Sequence, residues 1–326
     1  MARRLVVAED EQTLIDTIVD CDGRGEPVLI IGGGSNLVIS DDGFDGTVVL
    51  VRTRGVSHEV DTCSGVWLTA AAGEAWDKIV ELAVGSEWAG IEALSGIPGS
   101  VGATPIQNVG AYGQQVADVI ARVRTWDRQL NVHKTLSAAE CEFEYRNSIF
   151  RRDLSRYVVL DVTMQLNLSA SSAPVVYQDL VTHLGASSGE RHRLGRVREG
   201  VLAVRRGKGM VLDPNDADTR STGSFFTNPI LPIAAADQLP ANAPRYPTGD
   251  GRVKTSAAWL IQHAGFDRGF GNDRAAISSK HTLALTNRGD ANANDVLELA
   301  REIRTGVAAK FGVTLEPEPI LVNCSL

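Results

Sequence analysis

Residues 90–113 constrain this chain more than any other stretch. Six of the 24 positions are glycine (90, 96, 99, 102, 110 and 113), two are proline (98 and 105), and the one charge is Glu92. Glycine and proline both oppose a helix, so the run is not one. It is also too long for an ordinary connector. Glycine lets a backbone approach a ligand closely, and successive N–H groups can face an anion. The expectation is an ordered loop around a phosphate-bearing cofactor. The plain alternative is a glycine-rich packing loop between domains.

A second glycine turn, Gly32-Gly-Gly-Ser-Asn36, follows the apolar run Val28-Leu-Ile-Ile31. A dinucleotide fingerprint would open a helix here. Instead Ser35 and Asn36 lead into Leu37-Val-Ile39 and the turn Asp41-Asp42-Gly43. The pattern is strand, turn, strand, with no helix dipole behind the turn. Taken alone, a tight hairpin-like turn explains it equally well.

Composition narrows the class. The 326 residues allow two or three domains with real cores, and 43% apolar with 22% charged residues is ordinary for a soluble globular protein. A net charge of -8 without a long basic run argues against a nucleic-acid surface. Cysteines stand far apart at 21, 63, 141 and 324, with no Cys-x-x-Cys pair. Neither a metal site nor a disulfide framework is expected, and reduced thiols fit a cytoplasmic protein. No apolar run reaches the length of about 18 residues that a membrane helix needs. The apolar run after Met-Ala-Arg-Arg is too short for a signal peptide.

Periodicity predicts a strand then a helix over 6–25, and strands at 28–31, 37–39, 47–52, 66–70, 119–127 and 157–168. Helices are expected at 74–86, 194–208, 253–264 and 292–311. Residues 167–188, rich in Ser and Ala and containing Tyr177, read as a mobile excursion with a short helix. Composition shifts near 210–218, where a domain boundary is expected.

Three further segments hold candidate chemistry. Arg146 lies in the polar-aromatic run 142–150, where it could simply pair with Glu142 or Glu144. In Gly223-Ser-Phe-Phe-Thr-Asn-Pro229, alternation would put Ser224 and Phe226 on one face of a strand. No Gly-x-Ser-x-Gly elbow is present, so a hydrolase nucleophile is not expected. Glu316 and Glu318 each precede a proline, which biases both to extended backbone and puts their carboxylates on one face, roughly 7 Å apart. Ordinarily such a pair is solvated charge. As a catalytic pair it would imply a glycosidase, which leaves both glycine stretches unexplained.

Five segments, in order and at matching intervals, resemble one family. They are Gly32-Gly-Gly-Ser-Asn36; Ile97-Pro-Gly-Ser-Val-Gly-Ala-Thr-Pro-Ile-Gln-Asn-Val-Gly-Ala-Tyr-Gly113; Tyr145-Arg-Asn-Ser148; Gly223-Ser-Phe-Phe-Thr-Asn-Pro229; and Leu315-Glu-Pro-Glu318. Each is weak to moderate alone, but the ordered set is specific. Together they look like the UDP-N-acetylenolpyruvoylglucosamine reductase family, and the resemblance covers nearly the whole chain.

The resemblance implies an α+β fold. A two-part FAD-binding domain of the vanillyl-alcohol-oxidase-like type would take residues 1–52, completed by 312–326, and 53–208. An α+β substrate-binding domain would take 209–311. The implied reaction reduces UDP-N-acetylglucosamine enolpyruvate to UDP-N-acetylmuramate for peptidoglycan, with FAD as cofactor and NADPH as reductant. By resemblance FAD is held by Gly32, Gly33, Gly34, Ser35 and Asn36, and by Ser95, Ile97, Pro98, Gly99, Ser100, Gly102, Ala103, Pro105, Gln107, Asn108, Gly110, Ala111 and Tyr112. Three residues map onto the family's catalytic positions. Arg146 would pair the substrate carboxylate and hold the enolate form, a task that suits a planar guanidinium. Glu318 would lie beside that carboxylate and should hold or share a proton, because two bare carboxylates repel. Ser224 would protonate the α-carbon. Tyr177, Asn228, Lys208 and Lys254 would contact the UDP-sugar, and Tyr177 marks the subtype with a substrate-covering loop. Family members carry a Thr-rich segment before the first strand, and this sequence opens just after its place, so FAD retention is the first property to measure. The remaining alternative is a flavoprotein relative that binds nucleotide sugars without reducing them.

Overall fold

The computed structural model describes all 326 residues and divides into two compact units. One contains Ala2–Gly34 and Phe44–Arg206; the other contains Met1, Ser35–Gly43 and Gly207–Leu326.

The larger unit opens with a three-stranded parallel sheet in which Phe44–Val51 lies between Ala2–Ala8 and Val28–Ile31. Parallel strands need crossover connections, and the helix Glu11–Gly23 supplies the one between the two outer strands. Asp10 caps it by accepting the Thr13 N–H at 2.7 Å, and Leu14, Ile15, Ile18 and Cys21 are its buried face. The second sheet is antiparallel, in the order Val132–Ser137, Ile120–Asp127, Tyr157–Leu168, Gly65–Ala71 and Val56–Asp61. Two of these strands, Val56–Asp61 and Val132–Ser137, carry no clear apolar alternation and were not expected. Both are edge strands facing solvent, where burial does not impose a pattern. Val66, Leu68, Ala70, Val158, Leu160, Val162, Met164 and Leu166 bury one face of this sheet in a core shared with Trp76, Ile79 and Val80 of the helix Trp76–Gly85.

That helix also fastens the glycine-rich loop. Trp76 donates its backbone N–H to the Gly99 carbonyl at 3.1 Å and its indole N–H to the Leu94 carbonyl at 3.1 Å. The side chain is fully buried, so truncation to alanine would cost about 3–5 kcal/mol and loosen the loop together with the core.

In the smaller unit, Ala284–Asn287 pairs antiparallel with Ser221–Ser224 and Ala275–Ile277. The helix Ala293–Phe311 buries Leu297, Leu299, Ala300, Ile303 and Val307, and Asn292 with Asp295 forms its capping box. A second small sheet sets Arg252–Lys254 between Ile230–Pro232 and Tyr246–Pro247. Here the expected helix over 253–264 splits. Strand pairing takes residues 252–254, and the helix is Ala257–His263, started by Ser256 accepting the Trp259 N–H at 3.2 Å.

The Gly32 turn is not a hairpin. Val28–Ile31 pairs with Phe44–Val51, whereas Leu37–Ile39 pairs in parallel with Ile320–Val322 near the C-terminus. The two strands it joins lie in different sheets, so the turn is a crossing between them.

Candidate active site

In the larger unit the two glycine stretches meet backbone to backbone. A Cβ built on Gly33 would lie 2.9 Å from the Gly99 Cα, and one on Gly32 would strike the Ser100 side chain. Gly34 has φ +70 with open space around the place of its Cβ. A side chain at 33 has no room, and the backbone at 34 faces an opening in a conformation that favours glycine. The two glycine stretches thus pack too closely for side chains at 32 or 33, with Gly34 open beside them.

Much of the loop serves to hold its own shape. The N–H groups of Val101, Gly102 and Ala103 are engaged by the carbonyls of Glu74, Ala72 and Ser100 at 2.9, 2.9 and 3.0 Å. Ser95 donates its hydroxyl to the Glu92 carbonyl at 2.6 Å. Asn108, buried at φ +46, donates to Gln115 and to the Glu144 carbonyl and accepts the Ala117 N–H. Gln107 accepts from Arg151 at 3.2 Å. Ile97 and Ala111 pack on the core. Among the residues singled out for the cofactor, these shape the loop, while Gly32, Gly33, Gly34, Gly99 and Ser100 form the close contact and the opening beside it. Glu92, the one charge in the run, is buried and accepts the N–H groups of Gly90 at 2.7 Å and Ala173 at 3.1 Å. It ties the Ser/Ala-rich excursion to the loop.

The excursion contains the expected short helix and joins a small core. Val175, Leu180, Val181 and Leu184 form a small core with Ala93, Val197 and Val201, and Gln178–Leu184 is its helix. Tyr177 sets its ring edge-on to Tyr112 of the glycine-rich loop, with centroids 5.1 Å apart.

Arg146 is not paired in the expected way. Glu142 binds Arg152, and Glu144 accepts from Asn147 at 3.2 Å. The Arg146 guanidinium instead donates from Nη2 to the Gly110 carbonyl at 2.7 Å and from Nη1 to the Asn108 carbonyl at 3.4 Å. Its backbone sits at φ +55. A non-glycine residue there costs on the order of 1–3 kcal/mol and persists only when its surroundings hold it. Ser148 supplies part of that hold, donating its hydroxyl to the Ile106 carbonyl at 2.5 Å.

In the smaller unit, strand pairing brings Ser224 and Glu318 onto neighbouring backbone. The Phe225 N–H donates to the Leu283 carbonyl at 2.7 Å, the Glu318 N–H to the Phe225 carbonyl at 2.8 Å, and the Thr227 N–H to the Glu316 carbonyl at 3.0 Å. Asn36 reaches the Glu318 carbonyl at 3.5 Å, and the Ile320 N–H reaches the Asn36 carbonyl at 3.0 Å. The expected sharing of a face by Ser224 and Phe226 does not occur. The strand ends at Ser224 after a register shift, and Phe225 and Phe226 are both buried. The acidic pair also divides. Glu316 is 66% exposed and ion-paired with Arg304 at 3.4 Å, whereas the Glu318 backbone is pinned beside Phe225.

The weaker assignments have mixed placements. Asn228 uses its side-chain carbonyl on the Ala257 N–H at 2.9 Å, at the start of the helix Ala257–His263. Lys254 ends the central strand Arg252–Lys254, and Lys208 directly follows the helix Leu194–Gly207. Sequence reasoning missed His281, whose Nε2 lies 3.5 Å from the Ser224 Oγ. A lone histidine in the run Ser278-Ser-Lys-His281 carries no spacing signal, so only tertiary structure reveals it. Burial pushes the Cys141 thiol up to about 12.

Comparison with known proteins matches residues 213–322 to the model for the C-terminal domain of UDP-N-acetylenolpyruvoylglucosamine reductase, and residues 2–135 to an FAD binding domain. The UDP-N-acetylenolpyruvoylglucosamine reductase of Cutibacterium acnes is 55% identical over 328 residues, covering 100% of this chain and 86% of the relative. That of Thermobifida fusca is 51% identical over 340 residues, covering 100% and 94%. Among solved structures, the UDP-N-acetylenolpyruvylglucosamine reductase of Thermus caldophilus has the same fold, with a TM-score of 0.65 at 23% identity over 98% of this chain and 91% of that one. No helix is long and apolar enough to cross a membrane.

Proposed function

The chain belongs to the UDP-N-acetylenolpyruvoylglucosamine reductase family, and from that premise we propose which of its residues carry the reaction. The activity is FAD-dependent reduction of UDP-N-acetylglucosamine enolpyruvate to UDP-N-acetylmuramate with NADPH, a step of peptidoglycan synthesis. When bound, FAD supplies hydride transfer from NADPH to the β-carbon of the enolpyruvyl ether. The cradle of Gly32, Gly33, Gly34, Gly99 and Ser100 would hold it, and the steric fit of Gly33 against Gly99 supports that assignment.

Once hydride has reached the β-carbon, the chain must stabilise negative charge at the α-carbon and carboxylate, then protonate the α-carbon. Arg146 is assigned the first task. Its guanidinium is preoriented by two loop carbonyls and by a left-handed backbone, so little reorganisation is needed as charge develops. Ser224 is assigned the proton, and Glu318 acts on the same substrate group. The bond from the Glu318 N–H to the Phe225 carbonyl carries this reading, because it sets the Ser224 and Glu318 side chains on adjoining backbone. Tyr177, Lys208, Asn228 and Lys254 would bind the UDP-sugar, with Tyr177 marking the subtype with a substrate-covering loop. We keep the division into 1–52 with 312–326, 53–208 and 209–311 as the functional domains, and we place the enzyme in the cytoplasm.

Stopped-flow absorbance on Ser224→Ala tests the proton assignment. Flavin reduction by NADPH should stay intact, and reoxidation by the enolpyruvyl substrate should slow. If both half-reactions fall together, Ser224 is not the proton donor.

A further inference from the structure

Ser224 and His281 are both fixed, and by different elements. Ser224 pairs with Ala284 across the sheet, and the next residue is anchored by the Phe225 N–H on the Leu283 carbonyl. His281 sits on the turn between Ala275–Ile277 and Ala284–Asn287, which several hydrogen bonds hold. The buried Ser278 hydroxyl accepts the N–H groups of Lys280 at 3.0 Å and His281 at 3.2 Å. The Ala284 N–H closes on the His281 carbonyl at 3.1 Å.

The outer side of the turn is clamped by the 213–219 segment. Asp218 accepts the Ser279 N–H at 2.9 Å and hydroxyl at 2.5 Å, and Arg288 donates to the same carboxylate at 3.1 Å. Lys280 pairs with Asp216 at 2.5 Å. Burial works against the Asp218 charge, but the Ser279 and Ser278 hydrogen bonds and the Arg288 charge hold the carboxyl below the usual aspartate range. A turn held this firmly keeps the imidazole in place. Its Nε2 stands 3.5 Å from the Ser224 Oγ, a long hydrogen bond of the kind that tightens when substrate binds.

We propose that His281 is the positioning residue for Ser224, with its Nε2–H donating to the Ser224 Oγ. An alcohol is a weak acid. A donor on its oxygen turns the hydroxyl hydrogen outward to an acceptor and stabilises negative charge on the oxygen as that hydrogen leaves. This deepens the reading of Ser224 as proton donor and rests on it. In this role His281 acts through the serine, not on a reacting atom.

Double-mutant kinetics on the FAD-loaded enzyme tests the proposal. His281→Ala should slow reoxidation by the enolpyruvyl substrate on the order of 10- to 100-fold, the loss of one hydrogen bond to a developing charge. His281→Gln, which keeps an N–H donor, should recover most of that rate. In the Ser224→Ala background, His281→Ala should add nothing, because residues acting as a unit are non-additive. Flavin reduction by NADPH should be unaffected throughout. Additive losses, a Gln variant as slow as the Ala variant, or equal loss of both half-reactions each overturn the proposal. If Ser224→Ala leaves reoxidation unchanged, the proton-donor reading itself falls; if Ser224→Ala slows it and His281 adds independently, only this inference falls. The nitrogen NMR shift of the His281 imidazole gives a readout independent of activity and of whether the His281 variants fold. The Nε2 resonance should move in Ser224→Ala, and an unmoved resonance overturns the proposal.

Discussion

The proposed glycine cradle and the proposed Ser224 corner would make sites by opposite means. At the cradle, backbone meets backbone, and the requirement is that Gly33 and Gly99 carry no side chain at their contact. At the corner, backbone pairing sets in place the residues proposed to act through their side chains: the hydroxyl of Ser224, the carboxyl of Glu318 and the imidazole of His281. A cradle made of absent atoms is broken by any added atom, whatever its chemistry. A corner made of functional groups is broken by removing one oxygen or nitrogen while the fold survives. Mutations at the cradle should therefore be read first in cofactor binding, and mutations at the corner first in rate.

The largest effect should come from the corner. Ser224→Ala should slow reoxidation by roughly 10²- to 10⁴-fold, the usual range for losing a general acid, with FAD content unchanged. Gly33→Ala should behave in the reverse way. Its methyl meets the Gly99 Cα, and overpacking of about 1–3 kcal/mol weakens FAD binding by roughly 10- to 100-fold. Equilibrium titration of apoprotein with FAD measures it, and a variant that binds FAD normally would refute the cradle. Arg146→Lys should cost about tenfold in kcat/KM for the enolpyruvyl substrate, because an ammonium cannot donate to two carbonyls while presenting a planar fork. The KM for NADPH should not move; an equal rise in both KM values would mark a structural role.

Below these lies a stability effect. Asp218→Asn should cost about 1–3 kcal/mol near pH 7 by weakening the clamp on the turn that carries His281. Because the folded Asp218 carboxyl lies below its ordinary value, its contribution is full above an unfolded value of about 3.9. The contribution is lost as pH falls through the lower folded value. Thermal melts should therefore show the gap between wild type and variant closing in acid, and a gap independent of pH would contradict the assignment. Smallest of all, Glu316→Gln removes an exposed pair with Arg304 worth no more than about 1 kcal/mol. Steady-state rates should be unchanged, and a large loss would reinstate Glu316 as a functional carboxylate.

The sequence alone was enough for most regular elements. Apolar periodicity located the helices Glu11–Gly23, Trp76–Gly85, Leu194–Gly207 and Ala293–Phe311 and the strands Ile120–Asp127 and Tyr157–Leu168. Burial of one face imposes those patterns. It does not act on Val56–Asp61 or Val132–Ser137, whose solvent-facing edges left no alternation to read. Ordered motifs pointed to the family, and several of their glycines, such as Gly34 at φ +70 and Gly223 at φ +80, answer a local backbone demand that sequence records directly.

Tertiary structure decided what pairs with what. Leu37–Ile39 pairs with Ile320–Val322, far along the chain, instead of with Val28–Ile31 next to it, so a turn that looked like a hairpin joins two sheets. The residues 316 and 318, alike in sequence, were separated into a surface ion pair and a pinned neighbour of Phe225. His281 joined Ser224 only through a sheet register 57 residues long in sequence. Local preference is written in short windows of residues, but a hydrogen bond between distant strands depends on the register of the whole sheet. That is why the cradle's glycines were legible beforehand and the partner of the serine was not.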